Sequence, residues 1–292
     1  MIKYAYLQTE AEVAGLAEHL RETGCVRAAL DIEGENNLHS YGIRVSLIQL
    51  FDGKRAFLID VLALPSRSAL GTLLQESSWL KVMYDAGNDL LAFRHDLGIN
   101  PAPILDVAIA AQLLKKPGGL SALAPTGHSR STKDRFQKAN WMRRPLPPDL
   151  LDYAVSDVLA LPEIADELLA ELASKKLMMQ FLRKNWERQT GVRAWNPLAN
   201  YTRIPGYNTL RGEKRHFARV LWYAREYYAQ KLDLSPEMVA SKQVLRRIVD
   251  ERPADAAAIV RILNESRKRE PIRLADFTAS LQDAERDAPA GE

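Results

Sequence analysis

The chain has 292 residues, 47% of them hydrophobic, which is enough for about two domains with cores of their own. One cysteine, Cys25, excludes an intrachain disulfide framework, and the absence of any run of about 18 apolar residues excludes a membrane-spanning helix. The net charge of +3 excludes little by itself, and the opening MIKYAYLQTEAEVAGL lacks the layout of a signal peptide, so the expectation is a cytoplasmic protein with no membrane contact and no obligate protein partner evident.

In chain order, TEAEVAGLAEHLRETG reads as a helix with Thr9 as N-cap and Gly24 as its stop. CVRAALDIEG follows as a strand. RVSLIQLFDGKRAFLIDV reads as two strands joined at Asp52-Gly53, a strong hairpin signal. Then come a helix (SRSALGTLLQESS), a short apolar strand (LKVMYDA), a helix ending near Gly98 (NDLLAFRHDLGI), and a strand or strand-to-helix element (PILDVAIAAQLLKK). Hairpin and β–α units together imply an α/β fold, a mixed sheet flanked by helices. Residues 117–148 read as loop with short helical pieces. Pro147 and Pro148 open the helix PDLLDYAVSDVLAL, and Pro162 ends or kinks it.

Residues 191–209 lose the helical period and contain two Pro and two Gly, which predicts a linker. The remainder, 210–292, is helical throughout. From Arg211 to Arg273 there are 15 Lys/Arg against 9 Asp/Glu, an excess suited to phosphate backbones or to a solvated helical surface.

Within AALDIEG, strand alternation puts Leu30 and Ile32 on one face and Asp31 and Glu33 on the other. Two carboxylates about 7 Å apart on one face resist joint ionisation unless a cation lies between them. Tyr153 and Asp157, four apart in a helix, share a face one turn apart, where a phenol beside a carboxylate can orient or deprotonate a water. Asp89 begins a helix after LKVMYDA and could serve as a cap there. Spacing alone does not choose between Asp89 and its neighbours Asp85, Asp96 and Asp106. Taken singly, each acid also fits an ordinary surface or capping role.

The order of these features resembles the DEDDy 3′→5′ exonucleases, and within them the ribonuclease D branch. The motifs are DIEGENNLHSYGIRVSLIQL; KVMYDAGNDLLAF, whose acid is Asp89; and KDRFQKANWMRRPLPPDLLDYAVSDVLALPEI. The Lys-x-x-x-Gln-x-x-x-Trp-x-x-Arg-Pro-Leu lead into Tyr-Ala-x-x-Asp is the most specific match. Tyr84 stands where many relatives carry His, and GENNLHS is an uncommon version of its segment. The resemblance implies a ribonuclease H-like exonuclease domain over residues 1–190 with Asp31, Glu33, Asp89, Tyr153 and Asp157 as catalytic residues. It implies two divalent ions, Mg²⁺ or Mn²⁺, about 3.5–4 Å apart and held by the four carboxylates. Asp31 would bridge both, Glu33 and Asp157 would complete the ion that carries the water, and Asp89 would serve the second. The implied partner is nucleic acid: RNA 3′ ends, as in tRNA or other structured-RNA processing, possibly DNA. A non-catalytic RNA-binding adaptor on the same fold is the alternative from another class. Residues 210–292 resemble an HRDC domain, a helical nucleic-acid-binding module, through YAREYYAQKLDLSPEMVASKQVLRRIVDERP.

Overall fold

Strand β1 (Tyr4–Leu7) leads into helix α1 (Glu10–Glu22), whose start is a full capping box. The Thr9 hydroxyl accepts the Glu12 N–H at 3.2 Å and the Glu12 carboxylate accepts the Thr9 N–H at 2.9 Å. Strands β2 (Arg27–Asn36), β3 (Ile43–Phe51) and β4 (Ala56–Asp60) follow. The β3–β4 turn is held by Asp52, which accepts the Lys54 and Arg55 N–H groups at 2.8 and 2.7 Å. Next come α2 (Ser68–Gln75), β5 (Leu80–Met83), α3 (Gly87–Ala92), β6 (Ile104–Asp106) and α4 (Val107–Leu113). A π-helical turn extends α3 to Leu97, and Gly98 ends it in the left-handed region. The short α5 (Leu120–Leu123) and α6 (Arg130–Gln137) precede α7 (Pro148–Leu159), α8 (Leu161–Ser174) and α9 (Met178–Thr190). This computed structural model describes residues 3–123, 130–265 and 270–289, with backbone alone for 130–133; the side chain of Lys133, part of the third motif, therefore lies outside the described residues.

The strands form one six-stranded sheet in the order β1-β4-β3-β2-β5-β6. β1 runs parallel to β4, β4 antiparallel to β3, and β2, β5 and β6 parallel to one another. It is thus the expected mixed sheet. Its faces are set by alternation. Ala29 and Val82 pack under α4 and α8, and Leu47 and Leu58 pack under α7. Phe57, beside Leu58, points the other way and meets His19 of α1 at 5.7 Å between ring centroids. Asp31 and Glu33 share the parity of Ala29, so β2 presents them to the α4/α7/α8 layer.

Residues 1–35 and 43–194 make up this unit. A second unit, 195–292 with 36–42, is helical through α10 (Gly212–Lys231), α11 (Pro236–Val239), α12 (Lys242–Glu251), α13 (Ala256–Asn264) and α14 (Leu274–Asp287). Its core holds Leu221, Trp222, Tyr228, Ile248 and Phe277. Two features depart from the sequence reading. Most of 191–209 is not a free linker, because Ile204, just past one short 3-10 turn, and Tyr207, at the start of another, are about 1% exposed in that core. The loop after β2 belongs to this unit as well. Tyr41 is buried in its core, its N–H reaches Asp233 at 3.2 Å, and the Ser235 hydroxyl donates to the Asn37 carbonyl. No helix among the described residues is long and apolar enough to cross a membrane.

Candidate active site

β2 fixes the first two acids. Asp31 and Glu33 are half-buried on one face of the strand. Gly34 follows against β3, and a Cβ there would run into the Arg44 carbonyl oxygen. The glycine in D-x-E-G is thus required by strand packing next to Glu33.

α7 supplies the tyrosine and the last acid. Pro147 is its N-cap and Pro148 its first residue, where the missing N–H costs nothing. Tyr153 is 3% exposed, with its ring 4.8 Å from Phe136 and 6.4 Å from Trp141 between centroids. Its hydroxyl donates to Asp157 one turn on. Asp89 lies in the first turn of α3, carried there by β5 and the turn after Met83.

The electrostatics bring these five residues together. Burial raises Asp31 well above the usual carboxylate range, and the charges of Asp89 and Asp157 raise it further. Burial likewise raises Glu33, followed by Asp31, Asp157 and Asp89. Burial raises Asp89 to about 7, with Asp106 and Asp85 adding to the effect. Tyr153 is pushed up by burial, then by Asp157 and Glu33. The neighbouring charges acting most strongly on Asp31 and Glu33 are themselves carboxylates.

Among the described residues no three His, Cys, Asp or Glu side chains are placed to grip one ion. Like charges on neighbouring carboxylates repel, which opposes a tight three-acid cluster. The donor set itself is all hard oxygen, which is the chemistry Mg²⁺ or Mn²⁺ takes and zinc thiolate sites do not.

The competing acids have other roles. Asp96 accepts the Val45 N–H at 2.8 Å and ties the π turn to β3. Asp85 pairs with Arg188 at 3.0 Å. Asp106, fully buried, accepts the N–H groups of Asp85, Ala86 and Ala108 at 2.9–3.1 Å. Tyr84 accepts the Gly119 N–H at 2.7 Å, which anchors the loop beyond α4. The specific Trp-x-x-Arg-Pro-Leu lead proves to be scaffold. Trp141 packs on Tyr153, and its carbonyl accepts the Ser46 hydroxyl and Arg144 at 2.5 and 2.8 Å.

Sequence reasoning missed α9. Its polar side chains at positions 185, 188 and 189 fall on one helical face, but a polar helix face normally points to water. Here Asn185 and Gln189 reach the backbone of β6.

The family described as 3′-5′ exonuclease matches residues 4–173 of the chain. Among curated relatives, "Ribonuclease D" of Shewanella sp. (strain ANA-3) is 28% identical over 294 residues, spanning 98% of this chain and 74% of that protein. Among solved structures, Escherichia coli RNase D superposes with a TM-score of 0.75 at 23% identity, covering 99% of this chain and 76% of that one. Brucella melitensis NrnC with bound Mg²⁺ gives a TM-score of 0.50 at 21% identity, covering 65% of this chain and 91% of that one. With more than half its length matched, and the two ends of that match enclosing the sheet and all five grouped side chains, the chain belongs to the 3′–5′ exonuclease family.

Proposed function

We propose that this chain is a 3′→5′ exoribonuclease that releases nucleoside 5′-monophosphates from RNA 3′ ends, in tRNA or other structured RNA. Asp31, Glu33, Asp89 and Asp157 hold two divalent ions, Mg²⁺ or Mn²⁺, and Tyr153 works beside them. The observation that carries this reading is the mutual field of four carboxylates and one phenol drawn from β2, α3 and α7. Structural roles alone do not account for so much like charge at one place. The likeness to a relative named Ribonuclease D, and to a structure described as an exoribonuclease involved in structured RNA processing, supports RNA as the substrate.

When bound, the ions neutralise the scissile phosphate and make a water more acidic. The protein's own contribution is positional. The pleat of β2 keeps Asp31 and Glu33 at a fixed spacing. Tyr153 donates to Asp157, and its oxygen is left to accept from the attacking water and orient it. Burial of the ring against Phe136 and Trp141 holds that oxygen in place.

Residues 1–190 form the exonuclease domain in this reading, and 210–292 act as an HRDC-like module that contacts nucleic acid. Helical structure and the basic excess support the second assignment. Arg225, Lys231, Arg246, Arg247 and Arg252 are held in ion pairs, so phosphate contact falls to cations such as Lys242 and Arg261.

The test uses RNA and DNA oligomers labelled at the 3′ or 5′ end, with Mg²⁺, Mn²⁺ or EDTA. Stepwise shortening of RNA from the 3′ end, stopped by EDTA, is expected. Faster loss of DNA would replace the substrate assignment. No cleavage with any metal would favour a binding protein on this fold.

A further inference from the structure

The region around Asp89 is held from outside the matched family segment. That segment ends at residue 173, before α9 begins at Met178. α9 nevertheless lies along β6, the last strand of the sheet. The outward backbone groups of β6 pair with side chains of α9 where a seventh strand would otherwise bond. The Ile104 N–H donates to Gln189 Oε1 at 2.9 Å, Asn185 Nδ2 donates to the Ile104 carbonyl at 2.8 Å, and the Asp106 N–H donates to Asn185 Oδ1 at 2.8 Å. Two amide side chains thus satisfy an open strand edge.

Between them on the same face stands Arg188. Its Nη1 donates to Asp85 Oδ1 at 3.0 Å, and its Nε lies 3.6 Å from Asp106 Oδ2. Asp85 has φ +52°, an unfavourable conformation for a residue with a Cβ. It is held there from two sides, by Asp106 accepting its N–H and that of Ala86, and by Arg188 on its carboxylate. The guanidinium crosses the start of α3 beside Gly87, where any Cβ would collide with Arg188 Nη1. α3 then begins, and Asp89 is its third residue.

We propose that Arg188 and Asp106 form a clamp that positions Asp89, making α9 a working part of the catalytic unit. Neither residue touches substrate. Arg188 fixes Asp85 and Asp106, these fix the strained turn, and the turn sets the direction in which α3 carries Asp89. This inference rests on the proposed role of Asp89 as a metal-holding carboxylate.

The experiment compares the full chain with Arg188→Met, Arg188→Lys and Asp106→Asn. Two quantities are read on each folded protein: kcat and KM on a 3′-labelled RNA oligomer, and Mn²⁺ affinity by calorimetric titration without RNA. Arg188→Met is expected to lower kcat by about 10–100-fold, the usual cost of losing a partner that orients a ligand, with KM within about twofold. Mn²⁺ affinity should fall with it. Arg188→Lys, which keeps a charge for Asp85, should recover part of both. Arg188→Met combined with Asp106→Asn should cost less than the product of the two single effects. Unchanged Mn²⁺ affinity in folded Arg188→Met would overturn the clamp, as would a kcat loss that Arg188→Lys fails to relieve. If Asp106→Asn does not fold, the two Arg188 variants decide. If the unaltered chain degrades no RNA, the proposed function fails, and the Mn²⁺ titration still decides the clamp.

Discussion

Arg144 closes on Asp60 with two parallel hydrogen bonds, Nε to Oδ2 at 2.7 Å and Nη2 to Oδ1 at 2.6 Å. The same guanidinium donates to the Ser46 carbonyl at 3.0 Å and the Trp141 carbonyl at 2.8 Å. The fork geometry lets one side chain bind the end of β4, the middle of β3 and the segment leading into α7. Tyr153 and Asp157 inherit their position from this joint, since Trp141 packs directly on Tyr153. Arg144→Met should therefore destabilise the protein by about 3 kcal/mol or more, because the Asp60 side chain is 2% exposed and would lose its cationic partner. A urea melt of the variant at neutral pH checks this. An unchanged midpoint would make the pair dispensable.

The same joint gives an acid dependence. Burial pushes the Asp60 carboxyl up, but Arg144 and Tyr6 outweigh it and hold it below the usual aspartate range. A depressed folded pKa stabilises the fold above the unfolded value and loses that effect as pH falls through the folded one. Stability should thus drop below about pH 4, and Asp60→Asn should be weaker at neutral pH with a shallower acid slope. Urea midpoints measured from pH 2 to 7 would show both, and parallel slopes would assign the acid limb to other groups.

Removing acids from the site should separate chemistry from folding. Asp31→Ala and Asp157→Ala are expected to abolish nuclease activity while far-ultraviolet circular dichroism stays unchanged. Tyr153→Phe keeps the ring contacts and should lose about 10²–10⁴ in rate through the missing hydroxyl. Retained activity in either Asp variant sinks the assignment, and a loss under about threefold for the Phe variant leaves Tyr153 only a packing role.

A metal response follows from the like charge. Mn²⁺ should raise the melting temperature of the unaltered chain by binding the folded state alone, and EDTA should reverse the shift. In Asp31→Asn the metal-free protein should melt higher than the unaltered one, since a repelling charge is gone, and the Mn²⁺ increment should shrink. Equal increments in both proteins would place the ion elsewhere.

Gln49, the last residue of Leu-Ile-Gln in β3, offers a different test. Its side chain is fully buried on the α7 side with Leu47, and neither amide atom has a hydrogen-bond partner among the described residues. Gln49→Met should stabilise the fold by about 1 kcal/mol by removing unpaired polar atoms at similar volume. A lower urea midpoint in that variant would show that the amide contributes to stability.

Much of the first unit was legible from residue order. The Thr9 N-cap, the Asp52-Gly53 turn, the proline-opened α7 and the alternation that pairs Asp31 with Glu33 are local patterns. A period of two or of 3.6 is written in adjacent residues, so it can be read without knowing what lies across the core. The choice of Asp89 over Asp85, Asp96 and Asp106 was not local, and it came from resemblance. The structure gives each competitor a hydrogen-bond partner 21 to 103 residues away along the chain. The tertiary fold alone decided that 36–42 and most of 191–209 pack in the second unit. It also turned a polar helix after residue 178 against the edge of the sheet. Backbone groups on an open strand edge, and a turn held at positive φ, need partners that sequence spacing cannot name. Chain topology brings those partners near, and the cost of an unpaired buried polar group selects among them.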